Sequence, residues 1–424
     1  MQSRENSIMN HLEKCLRTSA INAFFIICAR CIADFGSVLS MIALSSYVFL
    51  ISNNVYQFSI FMVCSVCGSL FSSVISLPFF RKMPGKLALI CLNLVRFFVM
   101  LLLLILPASY LLYVVPCIAF ISGLCNTLFT IGINSQLPNW IIQPKRLSVN
   151  TWLTSLSSVS AVTGGLLVGV LIAGTGYENV FILNIVVYAF VAVMLLPLKK
   201  LTDGAQPSYQ SVPFRQEWRQ LKVELRQAPI LAGMLLVTLV GSLGNAAHQV
   251  GFPIIAKVLT PENISQAMGV LMASWAVGKF VGARLLGHLL KKYPNLSLER
   301  LFFVGFSILS MGFMLTFQQH QPVWAMLFVI CAGIGEGIAE VSLVSRVQAE
   351  SDTLRLPVFS TLALLKMTGF AAGMIIVAPF YNWLPLYLVI MLFHGIPLIT
   401  LVMVYIRLRK RWQHKLNIQP KTDF

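Results

Sequence analysis

Charge is scarce in this chain and acid scarcer still: only 11% of its 424 residues are charged, and 14 Asp and Glu stand against 31 Lys and Arg. Soluble globular domains carry about 25% charged residues, so an ordinary soluble fold is excluded. The sequence has no GxxxxGK(S/T) loop, which removes a nucleotide-driven motor, and no HExxH pair, which removes a zinc protease of that kind. No serine stands in a recognisable catalytic pattern, so an enzyme is not expected. Cysteine is modest: nine residues, at 15, 28, 31, 64, 67, 91, 117, 125 and 331, fall mostly inside apolar runs rather than in a secreted disulfide framework. What fills the chain is hydrophobic, with 57% apolar residues and a mean hydropathy of +0.81.

A membrane-spanning helix needs about 20 mainly apolar residues. That criterion predicts twelve spans, over 19–50, 57–79, 87–106, 110–134, 150–174, 178–198, 229–252, 265–289, 300–317, 322–345, 356–379 and 383–406. Helical runs of this length differ from the short alternating segments of an outer-membrane barrel, so the expected fold class is an all-α membrane protein. A net charge of +17 raises the question of a nucleic-acid partner, and its placement excludes one. Basic residues gather in alternate connections: Arg4, Lys14 and Arg17; Arg81, Lys82 and Lys86; Lys145 and Arg146; Lys199 to Arg226; Lys291, Lys292 and Arg300; Arg346 and Arg355; Arg407 to Lys421. The opposite connections carry Lys257 alone, so the positive-inside rule places both termini in the cytoplasm. The first apolar segment follows a polar tail, is too long for a cleaved signal peptide and lacks a small-residue cleavage site, so it is expected to stay as a helix.

The longest polar stretch, LKKLTDGAQPSYQSVPFRQEWRQLKVELRQAP, separates the sixth span from the seventh. It divides the chain into a tail (1–18), a six-helix bundle (19–198), a linker (199–228), a second six-helix bundle (229–408) and a basic tail (409–424). In the linker, Phe214, Trp218, Leu221 and Leu225 recur at helical spacing with arginines between them, which predicts an amphipathic helix lying on the membrane surface or against the protein body. Shifted by 210 residues, the halves match in length and in the order helix, basic loop, helix: GLCNTLFTIGINSQLPNWIIQPKRLSVNTWL from Gly123 meets GIGEGIAEVSLVSRVQAESDTLRLPVFSTLA from Gly333. Parallel six-span repeats related by an axis along the membrane normal place a substrate site between the halves, near the midplane.

In that register Asn126 and Thr130 of span four face Glu336 and Glu340 of span ten across the central cavity. Further charges fall inside spans: Arg30 and Asp34 in the first, Arg96 in the third, Lys279 in the eighth and Lys366 in the eleventh. An ionisable side chain at the bilayer centre costs about 2.5–3.5 kcal/mol or more and normally faces a cavity or a partner. Arg30 and Asp34, four apart on one helix face, are expected to pair. Glu336 and Glu340 share a face as like charges and need protons or cations, for which Lys279 and Lys366 are the obvious matches. One reading makes this set a structural ion cluster that ties helices together. The other makes a carboxylate a proton carrier, because burial and a like-charged neighbour favour the acid while a nearby cation favours the anion. Competition of that kind is what antiport needs. With Arg30, Arg96, Lys279 and Lys366 set against Asp34, Glu336 and Glu340, the cavity leans toward an anionic or zwitterionic amphiphile.

Other residues carry weaker signals. Cys28-x-x-Cys31 and Cys64-x-x-Cys67 have thiolate spacing that suits a tetrahedral metal site, but Cys is also a common small filler of buried helices; no metal or other cofactor is expected. His248 and His394 have the chemistry to titrate or bind metal, against the simpler role of packing. Trp275, Trp324 and Trp383 read as interface anchors or packing.

The run PKRLSVNTWLTSLSSVSAVTGGLLVGVLIAGTGYENVFILNIVVY has a basic turn at Lys145, Arg146 and Leu147, Asn150 at the start of span five, then Gly164, Gly165 and Gly169, and Phe181 and Asn184 opening span six. It resembles the branch of the major facilitator superfamily that holds enterobactin-type siderophore exporters and macrolide efflux pumps. The resemblance extends over the twelve-span layout and implies two six-helix bundles related by a pseudo-two-fold axis. The three glycines would let span five approach a neighbouring helix closely. Two departures stand out. After span two the superfamily usually has a Gly, then Asp-Arg and a basic cluster; here SLPFFRKMPGK puts Ser76 and Phe80 at the Gly and Asp positions and keeps Arg81 and Lys86, so the acid of a charged latch is missing. The Gly-Pro of antiporter span five appears as Gly164-Gly165. The resemblance implies a monomeric secondary transporter of the bacterial cytoplasmic (inner) membrane that exports a siderophore or similar amphiphile by alternating access, driven by a proton or other ion gradient. Import of a metal–siderophore complex, and a transporter-shaped sensor that binds ligand without moving it, are the alternatives.

Overall fold

In hydrocarbon a helix satisfies every backbone N–H and C=O within its own segment, and apolar runs of this length adopt it. The computed structural model describes residues 2–52, 55–83, 85–201, 214–262 and 264–418. Its helices are α1 (Gln2–Ser52), α2 (Val55–Lys82), α3 (Gly85–Ile105), α4 (Ala108–Trp140), α5 (Gln143–Met194), α6 (Phe214–Gln227), α7 (Pro229–Leu259), α8 (Ile264–Lys292), α9 (Leu298–Thr316), α10 (Pro322–Gln348), α11 (Asp352–Trp383) and α12 (Leu386–Ile418). Among the described residues, eleven helices are long and apolar enough to cross a membrane, all but α6.

α5 crosses twice. Its 52 residues would span about 78 Å as one rod, against a hydrocarbon core of about 30 Å. Gly176, at φ 80° and ψ 172°, breaks it in a conformation that glycine alone adopts without steric penalty. The amide of Leu201, just beyond α5, donates to the carbonyl of Asn139, just ahead of it (3.1 Å), so the two arms form a hairpin. Twelve crossings result. Two helix ends differ from expectation: α1 starts at Gln2 rather than near 19, and α12 continues to Ile418, past 408. Polar residues with good helix propensity carry both helices beyond their apolar runs. Linker residues 202–213, the side chains of Phe214 and Trp218, and the side chains of the basic tail from 409 lie outside the described residues.

Both halves pack by one scheme: α1 against α5 and α7 against α11, α2 against α4 and α8 against α10. The tightest of these contacts repeat at the 210-residue shift. A Cβ on Gly68 would lie 2.0 Å from the Phe120 carbonyl oxygen, and one on Gly278 2.1 Å from that of Ile330. Likewise a Cβ on Gly123 would lie 2.1 Å from the Ser65 oxygen, and one on Gly333 2.2 Å from that of Trp275. Each residue in the first half of these pairs differs from its counterpart by 210, so the two crossings are copies of one small-residue, backbone-to-backbone contact. Between the halves α5 meets α8 and α2 meets α11, the same pair exchanged, as a pseudo-two-fold axis requires.

The span-five glycines follow expectation only in part. A Cβ on Gly164 would fall 3.2 Å from Val38 and 3.3 Å from the Phe35 carbonyl of α1, a close approach. Gly165 reaches only Ile42, at 3.9 Å, and Gly169 has nothing within 4 Å. The reason is rotational: at 3.6 residues per turn, five residues carry Gly169 about 140° round from Gly164, off the stripe that faces α1.

Candidate functional site

Glu336 and Glu340 stand one turn apart on α10, and Lys279 of α8 reaches both, at 3.0 Å to Glu336 Oε1 and 2.6 Å to Glu340 Oε2. Trp275, one turn earlier on α8, donates its indole N–H to Glu336 Oε2 at 2.8 Å, so each oxygen of that carboxylate has a donor. The glycine crossing creates this geometry: a Cβ on Gly337 would lie 2.3 Å from the Lys279 carbonyl, and only its absence lets α8 and α10 come this close. Side-chain exposure rises from 17% at Lys279 and 20% at Glu336 to 31% at Glu340, which makes Glu340 the most accessible member. Lys366 of α11 lines, with both glutamates, Thr238, Asn245 and Phe306, a cavity of about 70 Å³. That volume holds several waters, not an amphiphile. The cavity lies within the C-terminal half, between α7, α9, α10 and α11, rather than midway between the halves. Among the described residues Lys366 forms no ion pair; it lies, with Lys279 and Arg30 of α1, within electrostatic reach of Glu340.

The N-terminal half holds a separate polar cluster. Arg30 and Asp34 pair on α1 at 2.8 Å, as their spacing predicts. Arg96 of α3 is 2% exposed, its guanidinium 5.3 Å from the Tyr188 ring centre and 5.9 Å from that of Phe129. Its Nη1 is 3.5 Å from Ser37 Oγ, while Nε and Nη2 have no hydrogen-bond partner among the described residues. Ser37 Oγ in turn donates to Asn126 Oδ1 at 3.1 Å, and Thr130 Oγ1 donates to the Asn126 carbonyl at 3.0 Å. The hydrogen bonds of Asn126 and Thr130 thus run within the N-terminal half. Both residues occupy the helix positions equivalent to those of the glutamates but are tied to their own half.

The halves are joined on the side that carries the basic connections. Asn150 Nδ2 of α5 donates to Ser345 Oγ (2.8 Å) and Gln348 Oε1 (2.7 Å) of α10, and Gln348 Nε2 donates to the Asn134 carbonyl of α4 (3.1 Å). Ser76 of α2 donates to Ser360 of α11 at 2.7 Å, and Ser155 to the Phe280 carbonyl of α8 at 3.3 Å. The Asn150, Gln348 and Ser76 bonds lie toward the basic ends of their helices and the Ser155 bond deeper, beside Lys279, and among the described residues neither α1 nor α7 packs against a helix of the other half. Neutral hydrogen bonds thus contribute to closing the molecule at its basic side. Phe80, at the position of the missing acid, is buried where a Cβ on Gly132 would meet its ring at 2.6 Å. Arg81 stands in the last turn of α2, Lys86 donates to the Leu196 and Leu198 carbonyls beyond α5, and Arg146 Nε and Nη2 donate to the Ile141 (2.9 Å) and Pro138 (3.1 Å) carbonyls left open at the end of α4.

Several residues escaped the sequence reading. Trp275 belongs to the ion cluster, and its only sequence signal is its place four residues before Lys279. Arg284 lies inside span eight and stacks its guanidinium 4.0 Å from the Trp152 ring centre across the halves. His248 and His394, both buried, approach each other at 3.4 Å, with His248 stacked 3.8 Å from Phe313. Exposed Trp324 and Trp383 keep the anchor reading. The two Cys-x-x-Cys pairs part company: Cys31 faces Ser160 of α5 at 3.1 Å, while Cys64 neighbours Cys67 and Cys117. Among the described residues no group of three His, Cys, Asp or Glu is placed to hold a metal.

Twelve crossings in two related halves, an ion cluster in the membrane and a seal on one side define a multi-pass carrier with the fold of a secondary active transporter. Residues 26–353 match the family model of the Major Facilitator Superfamily, and the chain belongs to that superfamily. Its structure is similar to that of a bacterial homologue of the iron transporter ferroportin in an outward-facing state, with 14% identity, a TM-score of 0.70, and 92% of this chain and 99% of that one covered. It is also similar to the transporter FucP in the outward conformation (10% identity, TM-score 0.69, 89% of this chain and 98% of that one). A variant of the E. coli fucose:proton symporter FucP matches at 10% identity and TM-score 0.67, over 92% of this chain and 98% of that one. No curated protein matches the chain significantly.

Proposed function

We propose that the protein is a proton-coupled transporter of the bacterial cytoplasmic membrane, with both termini in the cytoplasm, that exports a zwitterionic amphiphile of the siderophore class by alternating access. The observation that carries this reading is a lysine shared by two carboxylates beside a second lysine that pairs with none: Lys279 between Glu336 and Glu340, with Lys366 across the same cavity. Such a wall offers an acid to a substrate's ammonium and a cation to its anionic group. Because a proton and an ammonium cannot both take Glu340, binding one displaces the other, and exchange follows. With the basic side in the cytoplasm, the sealed structure is the conformation open outward, in which Glu340 meets external protons. On the return stroke the Asn150 and Ser76 bonds part, and the substrate enters from within.

The carboxylate-free state of Lys366 favours a second reading. A purely anionic substrate would bind Lys279 and Lys366 better once Glu340 is protonated, so proton and substrate would move together, inward. The sign of coupling decides. In proteoliposomes loaded with a siderophore, acidifying the face away from the basic side drives substrate out under exchange and drives uptake under cotransport. Flux that ignores the pH gradient would overturn both.

A further inference from the structure

The groove beneath the linker helix takes no part in the ion network. There α6 lays buried Leu221 and half-buried Leu225 against Pro229 and Ala232 of α7 and Thr361 of α11, and these residues with Lys222 and Arg226 line a space of about 670 Å³. Among the described residues the wall is apolar, since its one hydroxyl, Thr361 Oγ1, is already bonded to the Pro357 carbonyl at 2.9 Å. The rim is cationic: Lys222 and Arg226 are exposed, four residues apart on one face of α6, and among the described residues no carboxylate lines the groove. An apolar slot under a pair of surface cations, at the level where helices leave the membrane, is complementary to a molecule with a long hydrocarbon chain and an anionic head.

We propose that this groove binds an anionic phospholipid, its acyl chain along Leu221, Leu225, Pro229 and Ala232 and its phosphate between Lys222 and Arg226. The groove opens on the basic side of the molecule, which the positive-inside rule assigns to the leaflet rich in anionic lipid. It also touches the seal: Thr361 adjoins Ser360, the residue that accepts the hydrogen bond from Ser76 of the other half. A lipid seated there braces α6 and α11 together where the halves meet.

Native mass spectrometry of the full chain released from nanodiscs of equal phosphatidylglycerol and phosphatidylcholine tests this. The wild type should retain one phosphatidylglycerol in preference. Lys222→Gln/Arg226→Gln should lower that retention about 30-fold, at about fivefold per basic residue, and leave phosphatidylcholine retention unchanged. Ala232→Phe fills the slot without altering charge and should lose the bound lipid too, with an unfolding temperature matching the wild type's as the control for folding. Equal retention of the two lipids by the wild type overturns the proposal, as does undiminished phosphatidylglycerol in either folded variant.

Discussion

Replacing Asn150 with alanine cuts the seal at its centre. The side-chain amide donates both protons across the halves, at 2.8 Å to Ser345 and 2.7 Å to Gln348, and Asn150 and Gln348 are each 2% exposed. A neutral hydrogen bond contributes about 0.5–1.5 kcal/mol net, and a buried polar atom left without a partner costs about 1–3 kcal/mol. Asn150→Ala removes two bonds and strands Gln348 Oε1, while the Ser345 hydroxyl is free to turn to another acceptor. The gross cost is about 2–6 kcal/mol; Asn150 Oδ1, buried without a partner among the described residues, goes with the side chain and offsets about 1–3 kcal/mol, leaving about 2–3 kcal/mol against the sealed conformation and nothing against a conformation in which the halves have parted. At about 1.4 kcal/mol per tenfold, the equilibrium should move about 30- to 150-fold toward opening at the basic side. Spin labels at Lys82 and Lys292, exposed at the ends of α2 and α8, read that separation directly once the native cysteines are replaced. Double electron–electron resonance should show a longer-distance population growing in Asn150→Ala. Gln348→Ala should enlarge that population too, and the two changes should be less than additive because they share the Asn150–Gln348 bond while Gln348 alone also bonds the Asn134 carbonyl. Distance distributions superimposable on the wild type in both variants would refute the reasoning and leave the seal to packing, such as Gly287 against Thr151, where a Cβ would lie 3.0 Å from the Thr151 methyl.

Lys366→Gln should weaken binding of an anionic substrate about 10- to 150-fold, the value of a charge-assisted hydrogen bond of about 1.5–3 kcal/mol, and leave a neutral analogue unaffected; titration calorimetry showing equal loss for both would remove the electrostatic argument. Trp275→Phe keeps the ring but withdraws the donor from Glu336, and should lower stability by about 1.5–3 kcal/mol; an unchanged unfolding midpoint would mean that water replaces the indole N–H. Gly278→Ala places a Cβ 2.1 Å from a backbone oxygen and should destabilise by at least the roughly 1–3 kcal/mol of an overpacked site, whereas Gly169→Ala, with nothing within 4 Å, should be neutral or stabilising by up to about 1 kcal/mol. Thermal unfolding in detergent ranks the two, and equal effects would contradict the packing.

Much of the architecture is legible in the residues because the physics behind it is one-dimensional. Apolar length and the alternation of basic loops fix the crossings whatever the packing, and the 210-residue register is written in glycines at 68, 123, 278 and 333 whose close contacts repeat from half to half. Arg30 with Asp34 was readable because helix spacing alone makes them neighbours. Lys279 with Glu336 and Glu340 followed from the cost of unpaired charge. Which way a helix turns each residue is not written so plainly. Asn126 turned to Ser37, Gly169 away from α1, and Trp275 inward to Glu336 according to helix rotation that only packing sets. The seal was hidden for the same reason: Asn150 stood out only within the span-five run, and nothing in the sequence pairs it with Gln348, 198 residues away. Loss of the acid at Phe80 suggested a broken latch, yet the hydrogen bonds of Asn150, Gln348 and Ser76 and the stacking of Arg284 on Trp152 join the halves on the same side.

The claim at the centre of this account is that the α10 carboxylates couple a proton gradient to movement of substrate. Efflux and uptake of a siderophore panel, with and without metal, under an imposed pH gradient, compared between wild-type proteoliposomes and Glu336→Gln/Glu340→Gln, test it most directly. Gradient-driven flux in the wild type that vanishes in the variant, with ligand binding still measurable, is the predicted result. Undiminished gradient-driven flux in the variant, or ligand binding without flux in either protein, would contradict it and return the glutamates to a structural role.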